Sequence, residues 1–418
     1  MSKDPHFIGQ PVLNQLFSFL PGNEQLKSIA KRHHSDHYTK HFDSSQHLKT
    51  MLFSLFMRLD SLREVQTGLG GHENKLRHIG INSSVARSTL SDANKRRTPE
   101  FFASVYSHLL SKYRSILSDS RLKESEKIKE ERLYALDSTT ISLFTSIYTC
   151  SGRKRKDGKS KGGVKVHTLM QVDEHVPVFL RITDAVDADT KHADLAYRVP
   201  KDALLLIDRG YVDYGLYERL SLRGISYVTR VKRNMAYYPK GKIGQRMDQS
   251  VLLDQEGVLK IPEKQKNANL GTYHKARRIA WYNKEKKRYE VYLTNNFELS
   301  ADQIHDIYLK RWQIETLFKQ LKQNFELKYF MGDNKNAIQI QIWCAMIANL
   351  LLTILRRTLT SRWAFSVMAK NVSILAMTYV DIIAYLNEPK KAKKLIQEKL
   401  KDRENRPKQI TLYNLWET

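Results

Sequence analysis

Near residue 132 the apolar repeat changes from helical to alternating, and two acids end the runs that follow. "RLYALDSTTISL" (132–143) is rich in β-branched residues and reads as a strand. "VKVHTLMQV" (164–172) and "VPVFLRIT" (176–183) read as two more strands joined by the turn "DEH". "DADTKHADLAYRV" then opens a helix, and "ALLLIDRGY" (203–211) is a fully buried strand ending at Asp208. Three strands, a helix and a further buried strand predict a mixed sheet of the α/β kind. Asp137 lies inside or at the end of "LYALD", and Asp208 directly follows "LLLI". An acid at the carboxyl end of a buried strand points into the crevice where open α/β sheets bind ligands. The same acids also suit strand-ending turns or helix caps.

The flanks have other periods. Residues 1 to about 125 read as mostly helical: "SSQHLKTMLFSLFMRLDSLREVQTGL" (44–69) predicts one helix, stopped by Gly68, Gly70 and Gly71. "GINSSVARSTLSDANKRR" (80–97) has the form of a turn, a polar cap and a short basic helix. This is the pattern of a helix-turn-helix reader presenting Arg87, Lys95, Arg96 and Arg97 to DNA, or of a solvated basic helix. Residues 118–132 are charged and suit a linker or an exposed helix end. From about 215 to 300, "ISYVTRV", "ARRIAWYN" and "RYEVYLTNN" alternate with basic loops and predict a β-rich insertion. Residues 336–388 read as core helices and 390–408 as a basic tail.

With 418 residues and 41% hydrophobic content, the chain can bury the cores of two or three domains. Lys plus Arg number 70 against 44 Asp plus Glu, giving a formal net charge of +26. That excess favours a polyanionic partner, because each neutralised phosphate releases counterions. A membrane is not expected: the most apolar run (337–355) is broken by Gln339, Gln341 and Asn349 and suits a buried helix. The N-terminus lacks a signal-peptide pattern, and two cysteines imply no disulfide framework, so a reducing cytoplasm is expected. No phosphate-binding G-x-x-x-x-G-K-[ST] occurs. His33, His34, His37 and His41 have metal-compatible spacing, but no Cys or acid pattern supports them, so a solvated or DNA-facing surface is expected. Lys165, His167 and His192 are candidates for the crevice wall, and the basic loop 153–165 for backbone contacts to DNA.

"YLKRWQIETLFKQLKQNF" (308–325) has no Pro or Gly and predicts an α-helix. At about 100° per residue, Tyr308, Arg311, Glu315 and Lys322 form one polar row beside an apolar face. An amphipathic helix with ion pairs at its edge has the same pattern. With Asp137 and Asp208, however, Glu315 completes a set of three carboxylates, which suits Mg²⁺.

The spacing Y-x2-R-x3-E-x6-K resembles the Y-R-E-K signature of bacterial DDE transposases of the insertion sequence 4 family. "ALDSTTI" and "IDRGY" resemble that family's first and second catalytic-acid motifs, and "SLREVQTGL" and "RSTLSDANKRR" resemble the N-terminal module of one branch. The resemblance implies a ribonuclease-H-like mixed sheet with a β-strand insertion, preceded by a helical DNA-binding domain and followed by C-terminal helices. The domains would be 1–125 (helical, DNA-binding), 126–214 (first part of the catalytic core), 215–300 (β-rich insertion), 301–360 (catalytic helix and end of core) and 361–418 (C-terminal helices and basic tail). Asp137, Asp208 and Glu315 would bind two Mg²⁺ ions, with Mn²⁺ able to substitute. Tyr308, Arg311 and Lys322 would hold phosphates. Trp281 is the candidate for stacking on a flipped base, or else a buried strand aromatic. The implied activity is cut-and-paste transposition in the cytoplasm, at the nucleoid. It would act on double-stranded DNA, both terminal inverted repeats and target, as a homodimer in a synaptic complex. A catalytically silent DNA-binding repressor and a free-standing nuclease are the alternatives.

Overall fold

The structure, a computed structural model, describes residues 10–117, 132–142, 153–154, 160–161, 163–172, 174, 176–232, 235–243, 250–266, 270–325, 327 and 329–389. The charged stretch 118–131, most of the loop 153–165 and the basic tail 390–408 lie outside the described residues.

Among the described residues nine strands form one sheet. In chain order they are β1 (Leu133–Ser142), β2 (Gly163–Gln171), β3 (Val176–Asp184), β4 (Leu204–Ile207), β5 (Ser226–Arg230), β6 (Tyr238–Lys242), β7 (Val251–Lys260), β8 (Tyr273–Asn283) and β9 (Arg288–Thr294). Their order across the sheet is β3-β2-β1-β4-β5-β9-β8-β7-β6. The first three are antiparallel neighbours, and β1, β4 and β5 run parallel. This five-stranded mixed half is the ribonuclease-H-like arrangement. "ISYVTRV", expected within the insertion, is its fifth strand, covered by α9 (Tyr214–Leu222). The remaining four strands continue the same sheet, because β9 pairs antiparallel with β5.

Alternation along β1 divides the core. Leu133 and Ala135 join one apolar cluster, while Tyr134 and Leu136 join the other on the opposite face. "DADTKHADLAYRV" folds as tight 3₁₀ turns over Asp189–Arg198 on the second face.

The first cluster reaches into the helical parts of the chain. Before the sheet come α1 (Val12–Phe17), α2 (Asn23–Arg32), α3 (Ser44–Met57), α4 (Leu62–Gly71), α5 (Glu73–Leu76), α6 (Arg87–Arg96), α7 (Pro99–Lys112) and α8 (Arg114–Leu117). After it come α10 (Ala301–Leu309), α11 (Trp312–Asn324), α12 (Lys335–Thr358), α13 (Phe365–Leu375) and α14 (Ile382–Asn387). The helix expected over 44–69 is two helices. Arg58 turns left-handed (φ 55°) and ends α3, and Ser61 restarts the chain by accepting from the Glu64 N–H.

α12 is long and apolar enough to cross a membrane, yet 83% of its most apolar window is buried inside the protein. It packs against α3, α6 and α7. The first helix closes on residues near the end of the described chain. The Val12 N–H donates to the Thr378 carbonyl (2.9 Å), and Gln15 Nε2 donates to the Val380 carbonyl (2.6 Å).

Candidate active site

β1 and β4 set two acids side by side. Leu136 pairs with Ile207, the last parallel pair of the two strands, and the Asp208 N–H donates to the Leu136 carbonyl (3.3 Å). Asp137 follows on β1, opposite Thr168, on the face that α11 covers. The Asp208 carboxylate accepts from the Gly210 N–H (2.9 Å), so it also caps the 3₁₀ turn Arg209–Tyr211.

The helix expected over 308–325 is tightened near its start, between residues 307 and 314. The N–H groups of Lys310, Arg311, Gln313 and Ile314 all donate three residues back, and α10 ends there before α11 begins. Such bonds wind the chain at about 3.0 residues per turn. The polar row is therefore shared between two helices, with Tyr308 on α10, Arg311 at the junction, and Glu315 and Lys322 on α11.

Arg311 sits among the acids. Its Nη1 donates to Asp137 Oδ2 (2.6 Å) and lies 3.8 Å from Asp208 Oδ1, while its Nη2 donates to Glu315 Oε1 (2.7 Å). Burial, helped by the neighbouring Asp208, pushes the Asp137 carboxyl up to about 7 against the downward pull of Arg311. Burial works against the Arg311 charge, but Asp137, Tyr308 and Asp208 outweigh it and hold the guanidinium protonated. Lys322 Nζ donates to Thr139 Oγ1 (2.8 Å) and the Thr140 carbonyl (3.1 Å), fastening α11 to the end of β1. These groups line an open cleft of about 500 Å³, together with Lys319 and Gln323.

Other expected residues lie elsewhere. Tyr308 is buried beneath Arg311, its ring centroid 5.7 Å from the guanidinium carbon, and burial raises its hydroxyl to about 12. Arg87, Lys95 and Arg96 are exposed on α6 and do not line the cleft. Arg97, expected to reach DNA, is buried instead. It donates to the Asp43 and Phe42 carbonyls and covers the Phe42 ring. Trp281 on β8 is half-buried and stacked on His305 (centroids 4.3 Å apart, planes at 9°). Lys165 and His167 point to the opposite face of the sheet from Asp137, because they alternate with Val164, Val166 and Thr168.

That opposite face holds a network of which the sequence reading named Lys165 and His167 but missed Ser138, Asp189 and Tyr211. Ser138 Oγ donates to Asp189 Oδ1 (2.9 Å), and Lys165 Nζ lies 3.3 Å from the same oxygen. His167 Nδ1 lies 2.8 Å from the Tyr211 hydroxyl. Ser138 follows Asp137, and Tyr211 ends the turn begun by Asp208, so the network backs both acids. The available signal was Gly210 in "IDRGY": a Cβ there would lie 2.5 Å from Asp189 Oδ2.

Oxygen donors of this kind suit a hard divalent cation, and the guanidinium shows that three carboxylates already gather around positive charge. Among the described residues no three His, Cys, Asp or Glu side chains stand ready to hold a metal ion as they are. Arg311 would have to withdraw first.

The family described as Transposase DDE domain matches residues 128–351, and a domain of unknown function, DUF4372, matches residues 8–82. A Sinorhizobium fredii protein named as a transposase, y4zB, is 28% identical over 66% of this chain and 72% of its own. A Synechocystis protein named for the insertion sequence element IS4SA is 25% identical over 64% of this chain and 71% of its own. The cryo-EM structure of the piggyBac transposase synaptic complex with hairpin DNA covers 93% of this chain and 84% of its own, at 9% identity and a TM-score of 0.42, too loose a likeness to argue from. The Transposase DDE domain match spans more than half of the sequence and contains every acid of the cleft, and by it the chain belongs to the DDE transposase family of bacterial insertion sequences.

Proposed function

We propose that the chain binds the terminal inverted repeats of its own element, pairs the two ends as a homodimer, and cleaves and joins DNA strands in cut-and-paste transposition at the nucleoid. The observation that supports this reading best is the convergence of Asp137, Asp208 and Glu315 on one cationic group at the carboxyl ends of β1 and β4. DDE transposases work with divalent metal ions. Here the three carboxylates would hold two Mg²⁺ ions, for which Mn²⁺ can substitute. Such ions activate a water or 3′-hydroxyl and stabilise the leaving oxygen of an in-line displacement.

The chain's own groups do the rest. Arg311, once released from Asp137 and Glu315, offers a planar fork that grips a phosphate through two parallel bonds. Lys322 supplies a point charge at the cleft edge. Tyr308, packed beneath Arg311, orients the guanidinium. Arg87, Lys95 and Arg96 on α6 contact the DNA backbone, which fixes register without reading sequence.

Glu315→Gln keeps the side chain's shape and removes its charge. The expected variant binds end-containing DNA as the wild type does and fails to nick it in Mg²⁺. Unchanged nicking would overturn the site assignment. A strand-transfer assay separates the transposase from a nuclease, since only the former joins strands and requires two ends.

A further inference from the structure

A groove of about 560 Å³ opens on the flank of α11 away from the acids. α11 lends it Gln313, Thr316 and Gln320, while the end of α12 and the turn beyond lend Arg356, Ser361 and Arg362. Among the described residues neither Arg356 nor Arg362 forms an ion pair. Burial and the like charge of Arg357 beside it lower the pKa of Arg356, so positive charge is crowded there. One acid, the buried Glu174, also reaches the wall.

Asn349 supplies an independent observation. Its side chain lines the groove, the residue is only 4% exposed, and its Oδ1 meets no hydrogen-bond partner. A buried amide oxygen without a partner is costly. A half-turn about its last torsion exchanges acceptor for donors, so it can serve either kind of ligand atom.

The groove and the acid cleft are two sides of one helix. An α-helix with its side chains is about 10 Å across, and a DNA strand rises about 3.4 Å per nucleotide. About three nucleotides would therefore span α11. Lys319 and Trp312, the latter 66% exposed, occupy the solvent-facing arc between the two sides. An arginine-rich wall with hydroxyls and amides is the usual equipment for phosphate and sugar contacts.

We propose that this groove is a second DNA track, taking backbone phosphates of the strand about three nucleotides from the bond held at the acids. The proposal rests on the transposase reading for its substrate.

The test is the salt dependence of binding by the full chain to a mixed-sequence duplex. Arg356→Gln with Arg362→Gln is compared with the same charge change at exposed Lys201 and Lys264. The groove variant is expected to melt like wild type and to lose about two from the slope of log K against log salt, one per arginine. The control pair should keep the slope. A groove variant with the full wild-type slope, or a control that loses as much, would overturn the proposal. Nicking by the wild type in Mg²⁺ is measured on the same duplex carrying the element's ends. Its absence would overturn the transposase chemistry, whereas the slopes alone decide the groove.

Discussion

Arg311 separates three like charges that would otherwise repel one another. Its two short bonds, at 2.6 and 2.7 Å, bind an acid from the sheet to an acid from α11. Removing one partner of such a little-exposed pair leaves charge buried without compensation. Arg311→Ala should therefore destabilise the metal-free protein by about 3 kcal/mol. It also removes the competitor for the carboxylates, so Mg²⁺ should raise the melting temperature of the variant more than that of the wild type. Equal shifts would mean that the acids do not share a cation. Asp137 and Glu315 were legible because residue type and position on an element sufficed to suggest them. The guanidinium between them was not: reach across 174 residues of chain depends on tertiary placement.

At the scale of elements, the turn after β4 packs against the 3₁₀ segment Asp189–Arg198 with no room for a side chain at Gly210. Gly210→Ala should push the Asp189 carboxylate away and break its bond from Ser138. The cost is expected to be about 1–3 kcal/mol in urea unfolding. A variant as stable as wild type would show that the turn relaxes freely. The core strands were readable in advance because their apolar alternation and bounding turns are local properties, and β1 to β4 fall where the runs predict. The two long helices were misread at their interruptions. Arg58 takes a left-handed conformation without being glycine, and Lys310 and Arg311 keep helical dihedrals while their bonds shorten by one residue. Neither break uses Pro or Gly. Likewise, alternation separated Lys165 from Val166 but could not say which set would share a face with Asp137. That depends on the register between β1 and β2.

For the whole molecule, acid sensitivity should follow from its buried imidazoles. Burial lowers His167 to about 4 and His47 to about 3, and it also lowers His274 and His305. An unfolded chain takes up these protons below about pH 6.5, while the folded chain refuses them, so stability falls as pH falls. Asp137 works in the opposite sense, since its folded form keeps a proton up to about 7. It is one group against four. Going from about pH 7 to about pH 5 should therefore cost on the order of 2 kcal/mol, read from the urea midpoint. An unchanged midpoint would mean that these rings titrate normally in the folded state.

The seam where α1 closes on residues 376–380 has a consequence for synthesis. Gln15 finds its partner 365 residues later, so part of the packing of α1 waits until nearly all of the described chain has left the ribosome, while α2 can already dock on α3 and α7. A messenger cut short before that seam would yield a fragment whose α1 lacks the carbonyls of Ala376, Thr378 and Val380, leaving that apolar flank open to proteolysis.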